Sequence, residues 1–442
     1  MSFAEALHVW TRIGLLSFGG PAGQIALMHR VLVEEKRWIS ESRFLHALNY
    51  CMLLPGPEAM QLATYVGWLL HGWRGGLAAG GLFVLPGFVA ILALSILYAF
   101  HQQAALVTGI FFGLKAATLA IVVEAVIRIG RRTLKNRAML MIAAAAYVAI
   151  GLFMTPFPLV ILGAGLLGLI GGRLRPGLFC IIQGPATTAG DETSARRSTP
   201  GTVRTLATGA TWLAVWALPI AILLSLFGPT HVLTKIAFFF SKAAVVTFGG
   251  AYAVLAYMAQ QAVEVYGWLK PGEMLDGLSM AETTPGPLIM VTQFVAFMGA
   301  WRLPAPFEPL TAALLASCIA TWVTFAPCFL WIFLGAPYVE RLREKRILSA
   351  GLSAITAAVV GVILNLSIWF GVHVLFHGVT EWRGYGLRLL LPDLTSIDPA
   401  AWLIGIGALI ALARLRWNLI LVLALSSAAG IAWMFSGHMA AH

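Results

Sequence analysis

Two short motifs, each present twice, hold the residues of this sequence best suited to chemistry. Ser17-Phe18-Gly19-Gly20-Pro21 has a counterpart in Thr247-Phe248-Gly249-Gly250, and Pro55-Gly56-Pro57 recurs as Pro285-Gly286-Pro287, preceded by Thr284. Each motif lies between short apolar stretches and reads as a break between two half-helices. In hydrocarbon a break leaves backbone N–H and C=O groups unpaired, at several kcal/mol each. Such a break persists where it lines a cavity or meets a ligand, and its recurrence favours that reading over an ordinary kink. Pro21, Pro57 and Pro287 suit the first position of the half-helix that follows. The free N–H groups and positive end of that half-helix would form an anion site.

Charged residues stand close by. Arg12 and Lys242 each lie six positions ahead of a Phe-Gly-Gly. They are either a symmetric pair balancing a dianion or two cations reaching out to the membrane surface. With the motif residues they make up the candidate substrate site. Glu58 directly follows Pro57, and Glu282 comes three positions before Pro285. Both are candidate proton-coupling residues, since a buried carboxyl group can gain and lose a proton. Both could instead cap the exposed amides, a role favoured for Glu58 because Pro-Glu opens a helix well. Gln24, Asn49, Gln61, Thr64, Thr283, Thr292 and Gln293 also cluster near the breaks, as ligands or as packing polar groups. The pairs His373/His377 and His438/His442 have metal-like spacing but no third ligand nearby, so no metal site is expected. The four cysteines (Cys51, Cys180, Cys318, Cys328) form no CxxC pair, and no cofactor motif is present.

The elements that position these residues follow from composition. The chain has 442 residues, 60% hydrophobic and 11% charged, against about 25% charged in ordinary globular domains. Mean hydropathy is +0.86. That excludes a cytosolic enzyme, a secreted scaffold and a disordered chain. Residues 75–114, 138–172, 206–234, 309–339, 347–380 and 417–442 contain no Asp, Glu, Lys or Arg. A helix of about 20 apolar residues crosses the hydrocarbon core, and runs without alternation exclude a barrel. The fold class is therefore an all-α polytopic integral membrane protein. The first residues lack a basic n-region and carry Glu5, so no cleavable signal peptide is expected. The net charge of +11 marks cytoplasmic loops rather than a nucleic-acid partner.

The motifs belong to an internal repeat. A shift of 230 positions places Phe18 on Phe248, Glu34 on Glu264, Trp38 on Trp268 and Met60 on Met290 without a gap. Further on, Gly113-Leu114-Lys115-Ala116-Ala117 resembles Gly351-Leu352-Ser353-Ala354-Ile355. Arg128, Arg131, Arg132, Lys135 and Arg137 sit at the end of the first of these helices, whereas Arg341, Arg343, Lys345 and Arg346 precede the second. One therefore runs from outside to cytoplasm and the other from cytoplasm to outside. The expected organisation is a first repeat at 1–172, a cytoplasmic linker at 173–205, an extra transmembrane helix at 206–230 and an inverted repeat at 231–442. The N-terminus is expected in the cytoplasm and His442 outside, with about 10–14 membrane helices depending on whether the breaks are re-entrant. Inverted repeats with broken helices are the architecture of secondary transporters.

On these residues the chain resembles a chromate ion transporter of the long-chain, two-domain type. The resemblance rests on SFGGP at 17–21, EEKRWIS at 34–40, LLPGPEAMQLATYVGWLLHGWRGG at 53–76, FVLPGF at 83–88 and GLKAA at 113–117. TFGGAYAVL at 247–255 and ETTPGPL at 282–288 carry it through the second half. The resemblance implies export of chromate from the bacterial cytoplasm, driven by the proton motive force and conferring chromate resistance. It implies a multi-pass protein of the bacterial plasma (inner) membrane with protons and lipid as partners, no cofactor and no enzymatic activity; a homodimer is one assembly it allows. Leu288 stands where the first half has Glu58, and Met52 where the second has Glu282, so the halves need not share duties. Sulfate has the charge and shape of chromate, which leaves a sulfate or other oxyanion carrier as the alternative. A membrane-embedded enzyme or scaffold is the remote one.

Overall fold

The computed structural model describes residues 2–179, 201–248, 251–336 and 346–436. Helices α1 (Phe3–Leu15) and α2 (Gly20–His29) flank the first Phe-Gly-Gly, and α3 (Glu41–Cys51) and α4 (Glu58–His101) flank the first Pro-Gly-Pro. Helices α5 (Ala105–Thr133), α6 (Arg137–Gly151), α7 (Phe157–Leu174) and the short α8 (Pro176–Phe179) follow. The chain resumes in α9 (Thr202–Phe227) and repeats the pattern in α10 (Val232–Val246), α11 (Ala251–Ala259), α12 (Pro271–Thr283) and α13 (Val291–Arg302). It ends with α14 (Pro309–Gly335), α15 (Arg346–Leu375), α16 (Pro399–Ala413) and α17 (Leu419–Phe435). Among the described residues six helices are long and apolar enough to cross a membrane, and the protein is a helical, polytopic membrane protein. Most of the linker expected at 173–205 lies outside the described residues.

The register of 230 positions survives in local structure. Both α2 and α11 run into a single π-helical turn, Arg30–Glu35 and Gln260–Val265. Lys36 N–H bonds to Val31 and Tyr266 N–H to Gln261, each at 2.9 Å across five residues. Helix α4 is two helices in one, because His71 and Gly72 leave helical geometry and the chain doubles back there. The return is tight: a Cβ on Gly67 would lie 2.4 Å from the Gly75 carbonyl oxygen. In the second half the same hairpin is α13–α14.

The broken segments enter and return on one side. Lys36, beyond α2, reaches Glu5 at 3.2 Å near the start of α1. His29 at the end of α2 pairs with Glu41 at the start of α3, and Phe3 packs edge-on against His71. In the second half Arg302, ending α13, meets the Trp268 carbonyl at 2.6 Å and Glu273 at the head of α12. The breaks thus sit at the tips of re-entrant hairpins.

The equivalent helices α5 and α15 pack antiparallel, with Gly130 beside Val360 and Leu119 beside Gly371. Equivalent helices antiparallel across their own interface are what inverted repeats produce. The halves are also interlocked. Helix α5 packs on α17 of the second half, Gly113 against the Ser426 carbonyl and Gly109 against Gly430. Helix α15 packs on α6 and α7 of the first, Gly361 against Ala143 and Gly168 against Ala350. Small residues let these backbones approach, and close packing is what holds helices together in lipid. Helix α9 lies at the rim: Trp212 stacks on Phe329, and Trp322 of α14 donates to the Val215 carbonyl at 2.9 Å.

One departure from pure helix is a hairpin between α15 and α16, β1 (Val379–Gly384) paired antiparallel with β2 (Leu387–Pro392). Tyr385 and Gly386 turn it with positive φ at both positions, the backbone that matches strand twist in a two-residue loop. Arg388 pins this hairpin with two bonds to Glu264, 2.9 and 2.7 Å, while its backbone N–H reaches the Leu152 carbonyl at 2.8 Å.

Candidate functional site

The four break tips meet in the middle of the molecule, each held by the opposite repeat. The Gly56 N–H donates to the Thr247 carbonyl at 2.8 Å. Its counterpart, the Gly286 N–H, donates to the Ser17 carbonyl at 3.1 Å and to the Ser17 hydroxyl at 2.9 Å. Positions 17 and 247 are equivalent, as are 56 and 286, so the clasp is reciprocal. It crosses the repeats: the Pro-Gly-Pro of one half closes on the Phe-Gly-Gly of the other.

Glycine is required at both Pro-Gly-Pro tips. Gly56 has φ +121° and Gly286 φ +100°, where residues with a Cβ are strained. A Cβ on Gly286 would also lie 2.9 Å from the Gly87 Cα, and one on Gly56 would lie 2.7 Å from the Gln61 Nε2. Gly19 and Gly20, at φ +83° and +68°, turn the chain into α2. Pro21 stands in the first turn of α2, whereas Pro57 and Pro287 occupy cap positions one step before their helices. Pro55 and Pro285 complete the tips, Pro55 accepting from Gln61 Nε2 at 2.7 Å.

Side chains around the junction are buried and incompletely paired. Gln24 Nε2 donates to the Gly286 carbonyl at 2.6 Å, bridging the repeats, while its Oε1 has no partner. Tyr252 donates its hydroxyl to Glu282 Oε1 at 2.6 Å. Glu282 is 1% exposed and its Oε2 has no donor. That oxygen lies 4.0 Å from where a Cβ on Gly20 would be, next to the first residue of α2. Thr247 and Thr284 return their hydroxyls to the Ala243 and Met280 carbonyls, at 2.6 and 2.9 Å. An acceptor buried without a partner costs about 1–3 kcal/mol, so Gln24 Oε1 and Glu282 Oε2 are open to a further donor.

The structure does not bring Arg12 and Lys242 to the junction. Arg12 turns outward to Glu35 at 3.4 Å with about half its side chain exposed, and Lys242 is also exposed. Their backbones are near the tips, but their helix faces point away. Glu58 is half-buried in the first turn of α4. Gly249 and Gly250 lie outside the described residues.

Residues not singled out in the sequence join the site. Tyr252 is the partner of Glu282, and Gln24, noted only as one polar residue among several, spans the repeats. A second group occupies α12 away from its tip. Asp276 accepts from Tyr98 at 2.7 Å and pairs with Lys115 at 3.3 Å, and Ser279 bonds to Thr118 at 2.7 Å. The available signal was a polar residue at every third position: Glu273, Asp276, Ser279 and Glu282.

Comparisons with known proteins agree with this picture. The model of the family described as "Chromate transporter" matches residues 4–169 and 234–431, one block for each half. A protein of Pseudomonas aeruginosa named chromate transport protein is 33% identical over 369 residues, covering 82% of this chain and 80% of that one. A probable chromate transport protein of Synechococcus elongatus is 27% identical over 84% of this chain and 85% of its own. An uncharacterized transporter of Methanocaldococcus jannaschii is 24% identical over 82% and 83%. No solved structure matches this chain.

Proposed function

The chain belongs to the chromate transporter family, and on that premise we propose that it exports chromate across the bacterial plasma membrane by secondary active transport, in exchange for protons. The reciprocal clasp of the tips is the observation that carries this reading. Four backbone breaks converge, a helix begins beyond each of them, and each repeat closes the other's break. A rocking of one repeat against the other would exchange these hydrogen bonds and open the junction to either side in turn.

A tetrahedral dianion suits the donors gathered there. The first N–H groups of α2 face the junction, and the positive end of that helix favours negative charge; the Gly56 and Gly286 amides, held in the clasp to Thr247 and Ser17, become donors as the clasp opens. Glu282, against Gly20, is the group placed to exchange a proton as the anion comes and goes. Glu58 serves as a structural charge at the head of α4. Arg12 and Lys242 contribute to surface charge and topology instead of ligation.

Everted vesicles test the reading. Labelled chromate should accumulate when the lumen is made acid, and collapse of the gradient should abolish accumulation. Equal uptake without a gradient would contradict active export. Sulfate competing as strongly as chromate would reassign the substrate to tetrahedral oxyanions in general.

A further inference from the structure

We infer that the polar ridge of α12, Glu273–Asp276–Ser279–Glu282, is the path by which protons reach the junction from the outer face. This rests on the proton-coupled reading above and adds a route and residues to it.

The spacing comes first. Four polar residues recur at every third position of α12, and all four are buried, at 7%, 2%, 0% and 1% exposure. Residues three apart on a helix are neighbours, with Cβ atoms about 5–6 Å apart. The ridge climbs about 1.5 Å per residue, so from Glu273 to Glu282 it rises about 14 Å. That is close to half of a hydrocarbon core about 30 Å thick. It connects the end of α12, on the face where α5 begins at Ala105, with the break at Pro285. The arginines at the far end of α5 place that face outside.

The partners of the rungs come from α4, α5, α11 and α13, with α5 meeting both Asp276 and Ser279. Glu273 faces Arg302 of α13 and accepts from the Lys270 N–H at 2.7 Å. Asp276 faces Tyr98 of α4 and Lys115 of α5. The Ser279 hydroxyl donates to the Leu275 carbonyl of its own helix at 2.7 Å and meets the Thr118 hydroxyl of α5 at 2.7 Å. Glu282 takes the Tyr252 hydroxyl of α11, with Glu124 and Arg128 of α5 as the charges beyond. Two of the carboxyl groups keep an unpartnered buried oxygen, Asp276 Oδ1 and Glu282 Oε2. Those oxygens are where a travelling proton is received. Ionisable residues within membrane helices are costly, and chains of them mark proton relays.

The inverted repeat supplies an internal contrast. The equivalent positions of α3 are Arg43, His46, Asn49 and Met52. Polar residues keep the same spacing there, but no carboxyl group is among them. The acidic ridge is therefore confined to the outer half, where protons enter. The step itself is proton transfer alone: a proton from outer water enters past Glu273, joins Asp276, passes to Glu282 as the Ser279 hydroxyl turns from the Leu275 carbonyl, and leaves toward the cytoplasm.

Proteoliposomes holding the full chain and a luminal pH dye test this. In the wild type, chromate uptake should release luminal protons. Asp276→Asn should reduce gradient-driven accumulation and proton release at least tenfold, while chromate–chromate exchange at equal pH stays within twofold. Ser279→Ala should slow both coupled signals severalfold, and Asp276→Glu should restore much of the coupling. Coupled uptake unchanged in Asp276→Asn would overturn the path alone. Loss of exchange as well, with no rescue by Asp276→Glu, would assign Asp276 to structure and also overturn it. A wild type indifferent to the gradient would overturn proton coupling itself, and the path with it.

Discussion

Gly286 gives its single backbone N–H to Ser17, reaching both the carbonyl oxygen at 3.1 Å and the hydroxyl oxygen at 2.9 Å. The two residues are 269 positions apart and belong to opposite repeats. The mirrored bond from Gly56 to Thr247 makes the contact a property of the duplicated fold rather than of one loop. In lipid these amides have no water to turn to, so the break in one repeat is stable only while the other is in place.

The Ser17 hydroxyl has two duties, accepting from Gly286 and donating to the Gly14 carbonyl at 2.7 Å. Ser17→Thr should keep transport within about twofold, since threonine serves at the equivalent position 247. Ser17→Ala should lose about 1 kcal/mol of stability and most of the transport rate. Thermal unfolding in detergent and vesicle uptake measure the two effects.

Arg12→Gln and Lys242→Gln should change chromate affinity by less than twofold. An exposed ion pair such as Arg12–Glu35 contributes about 0–1 kcal/mol, and neither side chain faces the junction. Titration of labelled chromate on each variant decides this, and a tenfold loss in either would return a cation to the site.

Much of this was legible in the sequence. The glycines and prolines of the breaks carry their own conformational meaning, so the tips and their register of 230 positions could be read directly. What the sequence did not reveal is which tip meets which, because the clasp crosses between repeats and no local pattern encodes it. Arg12 shows the same limit. Its position near Phe18 suggested a ligand, but Trp10 and Ile13 take the buried face of α1 and leave Arg12 outward. The α12 ridge escaped for a different reason. A three-residue period drifts around a helix, so its members share no single face and stand out only once their partners are known.

The β1–β2 hairpin is braced by its arginine against the π-helical turn beyond α11. Arg388→Gln should remove both bonds to Glu264 and destabilise the protein by about 1.5–3 kcal/mol, the range for charged hydrogen bonds. A fall in melting temperature with substrate affinity intact is the expected result.

Topology is open to labelling. In a background lacking Cys180 and Cys318, Tyr385→Cys should react with an impermeant maleimide added to intact cells, since Tyr385 is 98% exposed at the hairpin turn. Asn136→Cys, beside the arginines ending α5, should react only after permeabilisation. The reverse pattern would invert the whole orientation.

The most direct measurement is the equilibrium affinity of labelled chromate for purified wild-type protein and Gly286→Ala, with folding checked by thermal unfolding. The added methyl group would press on Gly87 and strain a φ of +100°, displacing the tip from Ser17. Binding should weaken at least tenfold while the protein remains folded. Undiminished affinity in a folded Gly286→Ala would contradict the placement of the chromate site at the junction of the repeats.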